Sequence, residues 1–333
     1  LARRDFTINA FAWNPITRVF TDAFAGLADL RRGLLRAVGD PAARFGEDGL
    51  RTMRAVRFAA QLGFAIEDAT RAAFASALPT LRKVSRERVR EELLRLLGAK
   101  QPVLGLRNMF EVTSGGALHA SSGLLGVVLP EVAAALDRSP NAAERCLTFV
   151  DERPAELRLS ALLWPMREVA RTQAPRQIAD RLDALLKLPA KERQHLAALL
   201  SVEDVDYRRS SPWPAPTLRR FLARHPAPLI DDFLRLRSAE LRLANQLDAA
   251  LDLDELARRI AEERAERPPL SMSALAITGK DLMAELGLPP GPTIGTVLQR
   301  LLELVLDEPR RNTREQLLAE AARHCQSADE PAS

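Results

Sequence analysis

The sequence predicts a mostly α-helical protein that follows a short stretch of mixed α and β character. Three observations carry this. Of 333 residues, 47% are hydrophobic but only 5% aromatic, so the core is built mainly from Leu, Ala and Val, and Leu and Ala are strong helix formers. From residue 45 onward apolar residues recur at helical spacing between Pro and Gly breaks. Residues 1–40 instead carry short alternating and extended pieces.

In that first stretch Asp5 is placed to cap a short helix through Asn9 and Ala12, although Phe6, Ile8 and Ala10 also alternate as in a strand. Asn14-Pro15-Ile16-Thr17 reads as a turn, Val19-Phe20-Thr21 as a strand, and Leu34 to Val38 as another extended piece between Gly33 and Gly39. Leu50, Met53, Val56 and Ala60 then form one helical stripe closed by Gly63. A helix is expected from Ala69 to Leu78, stopped by Pro79. Another is expected from Ser85 to Leu97, with Gly98 behind it and Val89, Leu93, Leu96 and Leu97 as its apolar face. Further helices are expected over 142–150, 155–164, 176–187, 190–201, 216–223 and 228–250. The Ser- and Pro-rich run 210–216 reads as a joint, and 258–269 as a charged helix end and linker. Asp281–Leu286 closes at Gly287, a Pro-Gly-Pro turn leads into a helix from Thr293 to Leu306, and Asn312 to Glu315 has capping-box spacing for a last helix.

Charge is nearly balanced, 48 basic residues against 44 acidic for a net of +4, so composition alone only hints at a polyanionic partner. Cys146 and Cys325 fit neither a metal spacing nor a disulfide framework, which points to a reducing cytoplasm. The four histidines are equally scattered. No window is apolar enough for a membrane span, and no membrane or DNA partner is expected.

The informative chemistry lies in Glu47-Asp48-Gly49-Leu50-Arg51, continuing through Arg54, Arg57 and Phe58. Asp48 and Arg51 at i and i+3 would be neighbours on one helix face. A carboxylate accepts hydrogen bonds and a guanidinium donates them. Cytosine and adenine each present an amine donor beside a ring-nitrogen acceptor, whereas guanine and uracil present the reverse. An Asp–Arg pair therefore suits C or A, and mismatched groups each lose about 1–3 kcal/mol. The three-residue step drifts around the helix, so Arg54 and Arg57 would reach a triphosphate beside the base. Arg3-Arg4-Asp5-Phe6-Thr7-Ile8-Asn9-Ala10 adds groups suited to phosphate and ribose.

These segments in this order, with Asp29-Leu30, Leu35 to Pro41, Arg44-Phe45, Glu67, Thr70 and the run Val84-Ser85-Arg86-Glu87-Arg88-Val89-Arg90-Glu91-Glu92-Leu93, resemble the nucleotide-binding signature of class II CCA-adding tRNA nucleotidyltransferases and bacterial poly(A) polymerases. Gly279 to Met283, Leu286-Gly287, Pro290 to Gly295 and Asn312 to Glu315 are similar to the tail of the CCA-adding branch. The resemblance implies that Asp48 and Arg51 read the base and that Arg4, Arg54 and Arg57 bind triphosphate or sugar. It implies that Asp5 and Asn9 organise the ribose side, and that Glu87 and Arg88 brace the neck.

The fold it implies is mostly α, with a helical neck, body and tail after a truncated α+β nucleotidyltransferase head. The segments are 1–40 (head remnant), 41–100 (neck), 101–250 (body), 251–325 (tail) and 326–333 (a disordered end). The implied partners are tRNA, CTP and ATP, and the implied cofactor is Mg²⁺. The family's metal carboxylates are expected upstream of Leu1, with no catalytic or metal-binding residue in this chain. Asp22 and Asp29 read as surface or turn aspartates. Related alternatives are a poly(A) polymerase reading ATP only, and a non-catalytic RNA-binding helical protein.

Overall fold

A computed structural model describes residues 1–112, 116–139, 141–202 and 205–328. The chain divides into two units, 1–202 and 203–333. The division falls inside the expected body segment 101–250, just before the Ser- and Pro-rich run 210–216.

The first unit begins with a correction. Asp5 does not cap a helix reaching Ala12; there is one 3-10 turn, Thr7–Asn9, and then strand β1 (Phe11–Trp13). The backbone of this segment is engaged elsewhere. Thr7 N–H donates to the Arg36 carbonyl (2.9 Å), and Val38 N–H donates to the Asp5 carbonyl (3.1 Å). These bonds pin residues 5–7 against 36–38 and bury Phe6 and Ala10 completely, which a continuous helix could not do. β1 pairs antiparallel with β2 (Phe20–Asp22), and this hairpin leaves Trp13, Val19 and Phe20 about half exposed.

A helix absent from the sequence reading, α1 (Gly26–Arg32), follows and ends at Gly33 in the left-handed region. β3 (Leu34–Leu35) then pairs in parallel with β4 (Ala65–Ile66). Between them lie α2 (Pro41–Glu47), capped by Asp40 with Pro41 in its first turn, and α3 (Leu50–Leu62), closed by Gly63 as expected.

The helix expected over 69–78 is two helices, α4 (Asp68–Ala72) and α5 (Phe74–Leu81), and Pro79 sits inside α5 rather than ending it. Phe74, Ala77 and Leu81 form one buried face, and Phe74 meets Phe45 of α2 at 5.7 Å between ring centroids. That burial outweighs the backbone bond lost at proline. α6 (Arg86–Leu97) follows the expected bounds. It packs with α7 (Pro102–Arg107) against α3 around Met53, Val56, Leu93 and Leu96, all fully buried. Shorter helices complete the unit, among them Ala142–Asp151, Ala155–Leu163, Pro175–Leu186 and Ala190–Ser201, each close to its expected span.

In the second unit the helix expected over 228–250 is broken. Ala227–Leu243 and Leu247–Ala265 are separated at Asn245, which has φ 57°. The charged run after Arg258, expected as helix end and linker, is helical through Ala265. Gly279–Leu286, Pro292–Asp307 and Arg314–Ala328 enclose a core of Ile277, Leu282, Val297, Leu301, Val305 and Leu317. Asn312 does not cap the last helix. Its side chain accepts from Ala276 N–H and donates to the Ala274 carbonyl. The end expected to be disordered over 326–333 is helical to Ala328, and 329–333 lie outside the described residues.

Two glycines flanking the α2–α3 junction make opposite predictions. A Cβ on Gly46, inside α2, meets nothing within 4 Å, whereas one on Gly49 would lie 2.3 Å from the Leu81 backbone nitrogen. Gly46→Ala should raise unfolding free energy by about 0.5–1 kcal/mol. Gly49→Ala should lower it by about 1–3 kcal/mol through overpacking. Urea unfolding of both variants checks the pair, and equal effects would contradict the packing described.

Candidate functional site

The expected base-reading residues meet at a bend, not on a helix. α2 ends at Asp48, whose backbone is extended (φ −151°, ψ 106°), and α3 starts two residues later. Asp48 and Arg51 therefore do not share a helical face. They are joined through the bend, with Arg51 N–H donating to the Asp48 carbonyl at 3.1 Å.

The Asp48 carboxylate accepts from Leu50 N–H (3.0 Å) and from an Arg88 Nη (2.8 Å). The Arg51 guanidinium donates to Glu47 (2.6 Å), to the Arg44 carbonyl (2.8 Å) and to the Arg3 carbonyl (3.3 Å). The Asp48 side chain is 32% exposed and that of Arg51 16%, so one acceptor and one donor are presented at the same elbow, each braced by its neighbours. Arg88 reaches Asp48 from α6. Glu87 does not join it; it is exposed in the first turn of α6, where a negative charge suits the helix N-terminus.

Arg54 and Arg57 are held by buried carboxylates. Asp5, 7% exposed, accepts from Arg54 Nε at 2.5 Å and from Asn9 Nδ2 at 2.8 Å. Glu92, 4% exposed, meets Arg57 Nε at 2.6 Å and Arg54 Nη1 at 3.8 Å. The Arg57 contact is an ion pair rather than an aligned hydrogen bond. Both guanidiniums lie over the Phe58 ring, Arg57 at 4.0 Å and Arg54 at 5.4 Å from its centroid, and Phe58 packs edge-on against Phe6.

Burial works to raise the Asp5 carboxyl, but the hydrogen bonds from Arg54 and Asn9 outweigh it and hold the group below its ordinary value. Burial pushes the Arg57 guanidinium below its ordinary value, against the opposing pull of Glu92. Arg57 is thus closed in by Glu92 and Phe58. Arg4 is exposed, and Arg54 keeps a partly open face.

A second chain of bonds locks the remaining motif residues together. Asp29 is not a surface or turn aspartate; it is 3% exposed and accepts from the Thr7 hydroxyl (2.8 Å) and Arg36 Nε (3.1 Å). Arg36 pairs with Glu67 (3.0 Å). Glu67 accepts from the Thr70 hydroxyl (2.7 Å), which in turn accepts from Ala37 N–H (3.0 Å). Asp22 closes strand β2 rather than lying in a turn, and accepts from Gly26 and Leu27 N–H at the start of α1. Glu92 and Asp29 are the residues that sequence reasoning missed. Glu92 lies one step before Leu93 on the buried side of α6, a position whose charge signals a partner once the helix is drawn as a wheel.

Among the described residues no three His, Cys, Asp or Glu side chains gather where an ion could sit. Asp22 and Asp29 carry hydrogen bonds on their carboxylates and belong to no such group. No helix among them is long and apolar enough to cross a membrane.

Three family models match the chain. Residues 1–36 match the poly A polymerase head domain, 63–136 the probable RNA and SrmB-binding site of polymerase A, and 172–321 the tRNA nucleotidyltransferase domain 2 (putative). A CCA-adding enzyme of Levilactobacillus brevis is 32% identical over 325 residues, covering 96% of this chain and 71% of that relative. One from Lacticaseibacillus paracasei is 33% identical over 318 residues, covering 96% and 69%. Among solved structures, the Bacillus stearothermophilus CCA-adding enzyme in complex with CTP aligns with a TM-score of 0.68 at 26% identity, over 98% of this chain and 74% of that one. The Thermotoga maritima CCA-adding enzyme complexed with tRNA shares the fold, with a TM-score of 0.51 at 24% identity over 97% and 73%.

The buried network predicts an asymmetric mutational pattern. Glu92→Ala strands Arg57 and should lower unfolding free energy by about 3–5 kcal/mol. Arg88→Ala removes a half-exposed pair and should cost about 0–1 kcal/mol. Urea unfolding measures both, and a small loss for Glu92→Ala would contradict the burial.

Asp5 predicts a pH dependence. Its folded value is depressed, so its contribution is complete above the ordinary value of 3.8 and is lost as pH falls through the folded value. Asp5→Asn should therefore make stability less dependent on acid below about pH 4. Unchanged acid limbs in the two proteins would refute this.

Proposed function

The chain belongs to the family of CCA-adding enzymes and poly(A) polymerases, and from that membership we propose that it adds C and A nucleotides to tRNA 3′ ends from CTP and ATP, without a nucleic-acid template. The observation that carries the proposal is the α2–α3 elbow, where Asp48 offers an acceptor and Arg51, three residues on and bonded back to its carbonyl, a donor. Asp48 accepts from the exocyclic amine of C or A, and Arg51 donates to the neighbouring ring nitrogen. A guanine or uracil edge would set acceptor against acceptor and donor against donor.

Arg4 and the open face of Arg54 take the triphosphate. Arg57 supports Arg54 from behind through Glu92, and Asp5 with Asn9 orders the ribose side through the bonds that fix Arg54. The reaction class is attack of the tRNA 3′ hydroxyl on the α-phosphate with release of pyrophosphate. Mg²⁺ is the cofactor of that chemistry. A poly(A) polymerase remains the second reading, favoured by the family models matched over 1–36 and 63–136.

Two outcomes test the proposal. Equilibrium dialysis with labelled nucleotides should show CTP and ATP bound at least about 10-fold tighter than UTP and GTP, the factor expected from one mismatched polar group. Asp48→Ala and Arg51→Ala should each remove that preference. ATP selectivity alone would favour the poly(A) reading, and no selectivity would remove the elbow as a base reader. Affinity for tRNA should fall steeply with added salt, because bound arginines release phosphate counterions; a folded protein with no tRNA binding at low salt would remove tRNA from its partners.

A further inference from the structure

The acceptor–donor spacing expected for Asp48 and Arg51 is realised on a true helical face elsewhere in the first unit. Asp68 and Arg71 stand at i and i+3 on α4 and both line a cavity of about 300 Å³. Its apolar wall is formed by Phe74 and Leu78 of α5 with Phe110 and Leu124; the two phenylalanines are 7% and 3% exposed. The size lies at the lower end of small-ligand pockets.

Arg71 is fixed against this wall. One Nη donates to Asn108 Oδ1 and the other to the Phe110 carbonyl at 3.3 Å. Both partners are neutral oxygens, and the guanidinium has donors to spare. Asp68 is exposed and pairs with no cation among the described residues. Glu111 adds a second carboxylate to the lining.

We propose that this cavity holds one unpaired cytosine or adenine of a bound RNA. Asp68 accepts from the exocyclic amine, Arg71 donates to the adjacent ring nitrogen, and the ring lies on the aromatic wall. The two carboxylates would face the carbonyl of uracil or guanine, so those bases are excluded. A cationic side chain is the competing occupant, because Asp68 and Glu111 set two carboxylates against the one guanidinium of Arg71. The inference rests on the reading that RNA is a partner. The cavity is built from other elements than the elbow, so the two sites can fail separately.

The test is methyl NMR of the whole chain with labelled leucines, following Leu78 and Leu124. The probes are cytidine, adenosine, uridine and guanosine, which lack phosphate and so remove ionic attraction. Cytidine and adenosine should shift both methyls at concentrations at least about 10-fold lower than uridine and guanosine, the factor set by one mismatched polar group. Asp68→Ala, an exposed position, should abolish that preference, while Asp48→Ala should leave the cavity shifts unchanged. A tRNA with an unpaired 3′ end should displace cytidine from the cavity.

Four results would overturn the proposal: no shift with any nucleoside, equal shifts with all four, a response to arginine amide only, or cavity shifts that vanish in Asp48→Ala and persist in Asp68→Ala. Cytidine held against tRNA would remove RNA as the source of the base. Selective CTP binding at the elbow with a silent cavity would overturn this inference and leave the proposed function standing.

Discussion

A carboxylate withdrawn from water at Glu92 needs compensating charge, since its desolvation is unfavourable by several kcal/mol. Glu92 finds it in Arg57 at 2.6 Å and Arg54 at 3.8 Å. Arg54 in turn needs Asp5, which approaches it at 2.5 Å from the far end of the sequence motif. Three segments distant in sequence, residues 5–9, α3 and α6, are thereby fixed to one another by a single charged chain. An apolar set of similar volume could match its stability. What the ionic chain adds is direction, because the Arg54 nitrogens are held at stated oxygens rather than left to rotate.

The elbow between α2 and α3 depends on this arrangement. Arg51 lies one turn before Arg54 on α3, and Arg3 precedes Asp5 by two residues, so the bond from Arg51 to the Arg3 carbonyl closes a ring with the Arg54–Asp5 pair. Asp48 is held from α6 through Arg88, on the helix that carries Glu92. Asp48 and Arg51 are thus referenced to the buried chain through both α3 and α6. The neighbouring chain from Thr7 through Asp29, Arg36 and Glu67 to Thr70 does the same for residues 1–40, tying them to α1 and α4. With these groups engaged in one another, Arg4 stays exposed and Arg54 keeps its outer face open.

Much of this was legible in the sequence. The stripes of α3 and α6, with Gly63 and Gly98 behind them, follow from periodicity and helix-end chemistry. The motif order pointed to the right family. The geometry within the segment was less legible for local reasons. The i, i+3 spacing of Asp48 and Arg51 is ambiguous when a Gly stands between them, and Gly49 packs too closely on Leu81 to be replaced by a residue with a Cβ. The helix expected after Asp5 gave way to backbone bonds from residues 36–38, a long-range pairing that no window of a dozen residues contains. Pro79 was tolerated inside α5 because Phe74 and Leu81 gain burial on either side of it. Glu92 was hidden because the charge of an isolated glutamate says nothing of the two arginines that reach it from another helix.

A crystal structure of the protein with CTP would distinguish an elbow that reads the base, held in place by the buried chain, from one that does not. The cytosine amine should lie at hydrogen-bond distance, about 2.9 Å, from an Asp48 oxygen, with an Arg51 nitrogen equally close to the ring nitrogen and Arg57 still on Glu92. A cytosine bound away from Asp48 and Arg51, or an Arg57 released from Glu92 to reach the phosphates, would contradict it.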